Sequence, residues 1–459
     1  MRNNAVLILF FAYLGVSCKG LPRTAGHQNT TQVQVILSDS QLLDIVQKQT
    51  FQYFWAGAEP VSGLARERFH VDDIYPQNDK NTVTSGGAGF GVMSILVAIE
   101  RGFISRTEGR VRLEKITHFL ETADRFHGAW PHWWNGETGK VRPFSLDDNG
   151  ADLVETSYMI QGLLCVRQYY KDGNSTEKKL AQRIDKLWKE VEYDWFRNGR
   201  NVLYWHWSPD KGWKMNFPVQ GYNECLIMYI LGVSSPTHAV PVEVYNEGWA
   251  ENGKIKASNT FYGYTLQLKR QGGENTLMGG PLFWSQYSYL GLDPRDLKDK
   301  YADYWEENTN QSMINYTWCV SNPQKYKGYG CNNWGLTSSY SIDGYAGHAP
   351  GKENDLSVIS PTAALSSFPY TPKQSMAAMR HWYMDMKEKL WGPYGFYDAF
   401  SETKSWYPAR YLAIDQGPAV VMMENYRSGL LWKLFMSCPE IQQGLKKLNF
   451  TSPWIKRGG

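Results

Sequence analysis

The sequence places aromatic side chains close to clustered carboxylates. Residues 130–135 read WPHWWN, and residues 147–155 read DDNGADLVE. Indole faces can stack on the apolar C–H faces of a sugar ring while carboxylates bind its hydroxyl groups. Most glycosidases also break the glycosidic bond with a pair of carboxyl groups. These segments therefore indicate a carbohydrate-active enzyme.

The second segment carries three acidic residues at the predicted start of an apolar helix. Asp152 and Glu155 are three residues apart, so they share one face of that helix, and Asp148 lies just before it. The helix dipole favours their ionised forms, which suits a catalytic base or a carboxylate that binds hydroxyl groups. A structural interpretation competes, in which Asn149 caps the helix and Asp152 completes a capping box.

Three more carboxyl groups are candidates for the site. Glu224 opens another apolar helix, where apolar neighbours are expected to raise its pKa, as a general acid requires. The alternative is an ordinary acidic residue at a helix start. Asp415 precedes a helix whose first turn accommodates Pro418, and it is either a catalytic base or an N-cap. Asp398 lies in an aromatic loop, where binding of sugar is the expected role.

Aromatic residues make up 15% of the chain, with 19 Trp and 29 Tyr, which is more than a core needs. For any one of them, packing remains the simplest interpretation. Together they favour a glycan cleft, whose stacking platforms are expected to be Trp133, Trp134, Trp284, Tyr287 and Trp334.

Charge and motifs exclude several other classes. The net charge is +3 and no run of Lys or Arg occurs, which argues against a nucleic-acid partner. The Gly-x-Ser-x-Gly, phosphate-loop and His-Glu-x-x-His motifs are absent, so neither a cofactor nor a metal site is expected. Asp147, Asp148 and Asp152 are loosely similar to the metal-binding clusters of isoprenoid synthases, but an exported protein would rarely meet diphosphate substrates. Cys319 and Cys331 flank a loop and could form a disulfide.

Helix patterning predicts the architecture. Apolar helices alternate with amphipathic ones, beginning with the pair 90–99 and 106–126. About six such pairs predict an all-α fold, an (α/α)6 toroid of two concentric rings. A β-hairpin is also predicted where 202–207 and 213–217 alternate around a turn. The later apolar helices are expected to start near Gly150, Tyr222, Leu282, Thr362 and Gln416, and the amphipathic ones near Thr176, Thr237, Asp296, Lys373 and Ser428.

The N-terminus is typical of an export signal. Residues 5–16 form an apolar stretch after Arg2 that is too short to span a bilayer. The segment before Cys18 is similar to a lipoprotein cleavage site, whereas the alternative is an ordinary secretory signal. We expect a signal peptide at 1–17, a flexible tail at 18–37 and one catalytic domain at 38–459. The expected location is the periplasm or the outer membrane, with a lipid on Cys18.

In addition, the chain resembles the glycoamylase-like domain proteins, specifically the bacterial endo-β-1,2-glucanases of glycoside hydrolase family 144. The similar stretches follow one another in order between about residues 38 and 440: GGAGF at 86–90, ETSYMIQGL at 155–163, GYNECL at 221–226, PLFWSQY at 281–287, NWG at 333–335, SPTAA at 360–364, GFYDAF at 395–400, IDQGP at 414–418 and ENYRSG at 424–429.

The resemblance implies an (α/α)6 barrel without a cofactor that hydrolyses β-1,2-glucan with inversion, giving sophorooligosaccharides. It implies that Glu224 is the general acid and that Asp415 is a candidate base. Water activation in such enzymes can also pass through a substrate hydroxyl. The remaining acidic positions, Asp148, Asp152 and Glu155, are implied to serve activity or substrate binding. Linkage specificity rests on the resemblance alone.

Two other functions compete with an exported, monomeric hydrolase. A glycan-capture lipoprotein would need the same aromatic residues but no opposed carboxylates. A toroidal polysaccharide lyase would need a Tyr/His pair and basic residues to neutralise a uronate, whereas the motif-bearing loops here are rich in acidic residues.

Overall fold

The computed structural model describes residues 37–455, and residues 38–455 belong to one compact unit. The predicted signal, tail and lipidated Cys18 lie outside the described residues. No helix of the described part is long and apolar enough to cross a membrane. The α-helices are α1 Asp39–Trp55, α2 Ser85–Glu100, α3 Arg106–Thr122, α4 Leu153–Tyr170, α5 Ser175–Lys189, α6 Leu226–Ser234, α7 Tyr304–Ser321, α8 Pro361–Ser366, α9 Pro372–Asp385, α10 Lys387–Leu390, α11 Ala413–Arg427, α12 Leu430–Met436 and α13 Pro439–Lys447.

Six elements form an inner ring, in the order α2, α4, α6, a pair of 3₁₀ turns, α8 and α11. Each packs against the next, and α11 packs against α2 to close the ring. The helices of this ring are apolar on nearly every side, as surrounded helices must be. Helices α2 and α4 approach so closely that a Cβ on Gly162 would lie 2.2 Å from the Gly89 carbonyl oxygen. In a ring of six, α6 lies opposite α11.

The outer helices surround this ring and expose one face to solvent. Helices α1, α3 and α5 each begin with a capping box, formed by the pairs Ser38–Gln41, Ser105–Glu108 and Asn174–Glu177. The apolar side of α5 contacts α4, and α13 contacts α6. The prediction of an all-α toroid with two rings is confirmed.

Several predicted helices have other bounds or another form. The apolar helix expected near Tyr222 begins at Leu226, and the amphipathic helices expected near Thr237 and Asp296 are the π-helix Val244–Trp249 and α7. The helix expected at Leu282 is wrong.

That stretch consists instead of the 3₁₀ turns Leu282–Ser285 and Tyr287–Tyr289. The Gln161 side chain, reaching from α4, donates to the Tyr287 carbonyl and accepts from the Gly291 N–H, at 3.1 and 2.6 Å. These backbone groups are therefore satisfied without a continuous helix.

Short strands hold the loops at one end of the toroid. The predicted hairpin is present, because the Trp205 N–H donates to the Phe217 carbonyl at 3.0 Å. Strand His206–Trp207 additionally pairs with Ala151–Asp152, which fixes the start of α4. The strands are Arg68–His70, Thr82–Thr84, Trp133–Asn135, Val141–Arg142, Ala151–Asp152, His206–Trp207, Lys256–Phe261, Tyr264–Leu268, Ser339–Ser341, Gly344–Ala346, Trp391–Gly392, Gly395–Phe396 and Arg410–Leu412.

Candidate active site

A cavity of about 550 Å³ lies where the first turns of the inner helices meet. Carboxylates, cationic side chains and aromatic rings all contribute to its wall, a composition that suits a hydroxyl-rich ring with apolar faces. The acidic residues of the wall are Glu67, Asp79, Glu155 and Glu224, and its aromatic residues are Trp133, Phe144, Tyr158, Trp205, Phe283, Tyr287, Tyr340 and Tyr345, with His70 and His132 beside them.

Asp152 organises one side of the cavity, which we call the imidazolium site (His132, Asp148, Asp152 and Glu155). Asp152 Oδ1 accepts from the Glu155 N–H at 2.9 Å, so Asp152 itself is the N-cap of α4 and the predicted cap at Asn149 is wrong. Its Oδ2 contacts His132 Nδ1 at 2.9 Å and Trp205 Nε1 at 3.1 Å. Asp152 is therefore fully engaged behind the cavity wall.

The carboxylates of this site hold a proton on the His132 imidazole. Burial alone would lower the pKa of His132, but Glu155, Asp152 and Asp148 outweigh that effect and raise it to about 10. Burial likewise opposes ionisation of Asp152, yet the hydrogen bond from His132 lowers its pKa below the usual value. An ion pair of imidazolium and carboxylate is the result at neutral pH.

Glu155 and Asp148 titrate differently from Asp152. Burial, followed by repulsion from Asp152, raises the pKa of Asp148 to about 7. The pKa of Glu155 is also raised to about 7 by burial, although its Oε2 accepts from the Gly86 N–H at 2.8 Å. Of the two, only Glu155 lines the cavity.

The donor atoms of His132, Asp148 and Asp152 lie within 4.8 Å of one another, a spacing that a metal ion could use. Here His132 Nδ1 is already hydrogen-bonded to Asp152. The protonated His132 ring thus occupies the place that a metal ion would take.

Glu224 lies on the cavity wall, two residues before the first residue of α6. Its carbonyl accepts from Ser288 Oγ and, at 3.5 Å, from the Tyr158 hydroxyl, so its backbone is held by two neighbouring inner elements. Burial raises the pKa of its carboxyl to about 7, as predicted from its apolar neighbours. The group can therefore carry a proton near neutral pH while facing the cavity.

Asp415 and Asp398 form a second acidic site, which we call the acid pair. Both side chains are buried, 3% and 0% exposed, and each carboxyl affects the pKa of the other. Asp415 Oδ2 and Asp398 Oδ1 have no hydrogen-bond partner among the described residues. Asp398 Oδ2 accepts from the Tyr340 N–H at 2.8 Å, and Asp415 Oδ1 accepts from the Tyr287 hydroxyl at 3.3 Å.

Burial raises the pKa of Asp398 to about 7, and burial together with Asp398 raises that of Asp415 well above its usual value. Two carboxyl groups in contact retain a proton between them. Asp415 lies in the first turn of α11, whose N-cap position is Leu412, so the N-cap interpretation is wrong. Asp398 was predicted to bind sugar. It is the buried partner of Asp415 instead.

The structure separates the predicted stacking residues into two groups. Trp133 and Tyr287 line the cavity, whereas Trp134, Trp284 and Trp334 are buried in packing, and for these three the predicted platform role is wrong. Trp334 is 0% exposed and its Nε1 donates to the Gln374 carbonyl at 3.4 Å. Trp134 Nε1 donates to the Asp124 carbonyl at 3.1 Å, and Trp284 packs on Gly280.

Sequence reasoning missed several residues of the wall. Phe144 packs against His132 and Trp133, with ring centroids 4.4 and 4.8 Å away. Tyr345 lines the cavity from a hairpin and remains 61% exposed. Glu67 was missed because no periodic pattern surrounds it. The predicted hairpin could have indicated Trp205, since its strand brings this residue to the start of α4.

The geometry brings opposed acidic groups to one cavity. Glu224 precedes α6 and the acid pair adjoins α11, which is the opposite member of the inner ring. Glu224 can donate a proton near neutral pH, and the acid pair can hold one. The sequence left open whether Cys319 and Cys331 are bridged, and in the structure Cys319 is a buried thiol outside any disulfide.

Comparisons with known proteins agree with this geometry. A family model described as "Putative glucoamylase" matches residues 216–439. The structure of the endo-β-1,2-glucanase of Chitinophaga pinensis in complex with sophorotriose and glucose has a TM-score of 0.90 and 69% sequence identity, over 91% of this chain and 100% of that one.

Two further relatives differ in length or in sequence. The exo β-1,2-glucooligosaccharide sophorohydrolase of Parabacteroides distasonis is 46% identical over 432 residues, 90% of this chain, and the chain spans 58% of the length of that curated relative. The endo-β-1,2-glucanase of Talaromyces funiculosus with sophorose has a TM-score of 0.64 at 12% identity, over 90% of this chain and 89% of that one, which shows a shared fold.

Proposed function

The chain belongs to the glycoamylase-like family of bacterial β-1,2-glucanases, glycoside hydrolase family 144, and from this we propose that it hydrolyses β-1,2-glucan. The observation that carries the proposal is the cavity itself. A protonatable Glu224 lies on a cavity wall that is rich in aromatic side chains, and the acid pair lies behind that wall, in contact with the Tyr287 hydroxyl. Inverting glycosidases need such an acid and base on opposite faces of the sugar.

In this mechanism Glu224 donates its proton to the glycosidic oxygen that leaves. A pKa of about 7 keeps a substantial share of the carboxyl groups protonated at neutral pH. Once the proton has been transferred, Glu224 becomes a carboxylate, which must take up a proton before the next turnover. Water attacks the anomeric carbon from the other face and forms the new C–O bond.

The acid pair accepts the proton that the attacking water loses. Neither Asp398 nor Asp415 lines the cavity, so an intervening hydroxyl group has to transmit that proton. Tyr287 lines the cavity and its hydroxyl donates to Asp415, so it can pass one proton on as it takes up another. A hydroxyl group of the substrate is the other carrier. Replacing Tyr287 by Phe distinguishes them, since only the first route loses rate.

We further propose an endo mode of attack. The support is the 69% identity to an endo-acting enzyme that the chain covers over its full length, against 46% identity to the exo-acting relative. An endo enzyme releases oligosaccharides of mixed length early, while an exo enzyme releases sophorose from the first turnovers. A chromatographic time course separates these outcomes.

The test of the function combines a linkage panel with one substitution. We expect reducing-sugar release from β-1,2-glucan and little from β-1,3-, β-1,4- or β-1,6-glucan, with the α-anomer appearing first by proton NMR. Glu224→Gln should lower turnover by about 10²–10⁴-fold, the range for a lost general acid. Glu440→Gln on α13 is the control. Wild-type binding of the glucan without any release would instead support a capture protein.

We also propose that the protein is an exported monomer that is anchored by a lipid on Cys18. The support is the apolar stretch at 5–16, followed by Cys18. Labelling cells with a palmitate analogue should mark the wild type but not Cys18→Ala, and an unlabelled wild type would contradict the anchor. Size-exclusion chromatography with light scattering should give a mass near 50 kDa, since the full chain is 52.7 kDa.

A further inference from the structure

Glu67 is a carboxylate on the cavity wall that the mechanism above does not use. Its backbone is held between two inner elements, because its N–H donates to the Thr82 carbonyl at 2.9 Å and its carbonyl accepts from the Ala413 N–H at 3.0 Å. Thr82 belongs to the strand that leads into α2, and Ala413 is the first residue of α11. The position of Glu67 is therefore fixed at the junction of these two helices.

The Glu67 carboxylate keeps acceptor capacity toward the cavity. Glu67 Oε1 lies 3.4 Å from Arg68 Nη2, which is a long contact. The Glu67 side chain is 15% exposed. The same guanidinium approaches Asp79 more closely, with Nε 3.1 Å from Oδ2. A carboxylate has lone-pair sites for about four donors. Sugar hydroxyl groups are the donors that a glucan would bring here.

The charge of Glu67 also interacts with groups of both the imidazolium site and the acid pair. Its own pKa is raised, first by burial and then by Asp79, while Arg68 and His132 act in the opposite direction. Its negative charge in turn raises the pKa values of the groups that face it from the other elements: Glu155, Asp398, Asp415, Tyr340, Tyr345 and Tyr53.

Such a partly buried charge does not favour folding. Removing a carboxylate from water costs free energy that a single long contact with a guanidinium repays poorly, so a neutral amide of the same shape would be tolerated at least as well. Charged groups that a fold does not need are typical of functional sites, where stability is exchanged for activity.

We propose that Glu67 is a substrate-positioning residue, whose carboxylate accepts hydrogen bonds from the hydroxyl groups of a glucosyl unit held between the imidazolium site and the acid pair. Arg68 orients the carboxylate from one side. This inference rests on the proposed hydrolysis of β-1,2-glucan.

The decisive variant is Glu67→Gln, measured for kcat, KM, melting temperature and pH profile on β-1,2-glucan. We expect kcat/KM to fall by about 10- to 100-fold, as for a lost hydrogen bond to a charged acceptor. The melting temperature should stay the same or rise. The pH profile should move toward lower pH, because the neighbouring acidic groups lose a repelling charge.

Two companion variants separate positioning from structure. Glu67→Asp keeps the charge but withdraws it by one methylene, so it should keep the wild-type pH profile with reduced kcat/KM. Asp79→Asn removes the closer partner of Arg68 but keeps the Glu67 charge, so it should lower the melting temperature and move the pH profile less than Glu67→Gln does. If Glu67→Gln does not fold, Glu67→Asp carries the test through the split between its kcat/KM and its pH profile.

The outcomes also distinguish this inference from the function on which it rests. An inactive wild type would overturn both. An active wild type with Glu67→Gln within about threefold of it, well below the effect of a lost charged hydrogen bond, would overturn the positioning role alone. A joint fall of activity and melting temperature without a shift of the pH profile would likewise overturn the positioning role and leave the hydrolase function standing.

Discussion

At the start of α4 the buried carboxylate of Asp152 faces a protonated imidazole, whereas at the start of α11 the buried carboxyl of Asp415 faces a second carboxyl, that of Asp398. Both acids lie at the starts of inner helices next to the same cavity, Asp152 as the N-cap of α4 and Asp415 in the first turn of α11. The first is charged and balanced by His132, whereas the second shares one proton with Asp398, so that the pair keeps a single negative charge. The group that faces each acid, and not the position of the acid at a helix start, determines its protonation state.

Because their protonation states differ, the two sites have different roles in the proposed reaction. The Asp152 carboxylate accepts hydrogen bonds from Glu155, His132 and Trp205, and it is therefore suited to holding the wall rigid beside Glu155. The acid pair can change its proton count at modest cost, since its members titrate as a unit. The ion pair of His132 and Asp152 keeps its charge and holds the wall in place, whereas the acid pair exchanges protons and takes part in the chemistry.

The largest effect is expected for Asp152→Asn. The partly buried imidazolium of His132 would lose its carboxylate, which should lower the free energy of unfolding by about 3 kcal/mol. Turnover on β-1,2-glucan should fall on the order of 10³-fold, within the range for precisely positioned polar groups. Chemical denaturation and initial rates measure both. Retention of wild-type stability would break the contrast between the two sites.

Asp415→Asn should reduce turnover by about 10²-fold, because the pair could no longer accept a proton. Its stability should change by less than about 1 kcal/mol, since an amide N–H can replace the shared O–H toward Asp398. The same two assays apply. A loss of stability as large as that of Asp152→Asn would mean that the pair does not share a proton.

Aromatic substitutions sharpen the comparison at the wall of the imidazolium site. Trp133→Ala should raise KM by about 10-fold through lost stacking, worth about 1 kcal/mol beyond area burial. Trp334→Phe changes a ring that packs away from the cavity and should leave KM unaltered. Michaelis–Menten kinetics on oligosaccharides of one length decide this, and equal KM changes in both variants would contradict the assignment of the wall.

The smallest effect concerns stability against pH, where the two sites act in different windows. Asp398 of the acid pair binds its proton more tightly when folded, so its contribution is full below about pH 4 and declines until about pH 7, its folded-state pKa. The His132 pKa is raised from 6.5 to about 10, so its contribution is full below 6.5 and declines until about 10.

Asp398→Asn should therefore flatten the melting curve between about pH 4 and 7, and His132→Gln should flatten it between about 7 and 10, each by a few degrees. Differential scanning fluorimetry across the pH range measures this. Unchanged slopes in both variants would remove the electrostatic basis of the comparison.

Much of this arrangement follows from local sequence patterns. Alternating apolar and amphipathic helices predicted the two rings, because burial on every side demands an apolar surface all round. The raised pKa of Glu224 was predicted from its immediate neighbours, and these are also what desolvates it in the fold. Such features depend on contacts that are close in sequence.

The rest depends on contacts between distant segments. Glu67 reaches the cavity because strand Arg68–His70 pairs with Arg410–Leu412, and Asp398 meets Asp415 only once the aromatic loop has folded onto α11. Trp133 lines the cavity and Trp134 is buried in packing because successive residues of a strand point to opposite faces. Prediction of the strand Trp133–Asn135 would have separated them.

Neutron diffraction from deuterium-exchanged crystals near neutral pD tests the contrast of protonation states most directly, because it locates the protons that X-ray data leave to inference. The account predicts deuterium on both ring nitrogens of His132, none on Asp152, and a single deuteron between Asp398 and Asp415. A neutral His132 ring, or two bare carboxylates in the acid pair, would contradict it.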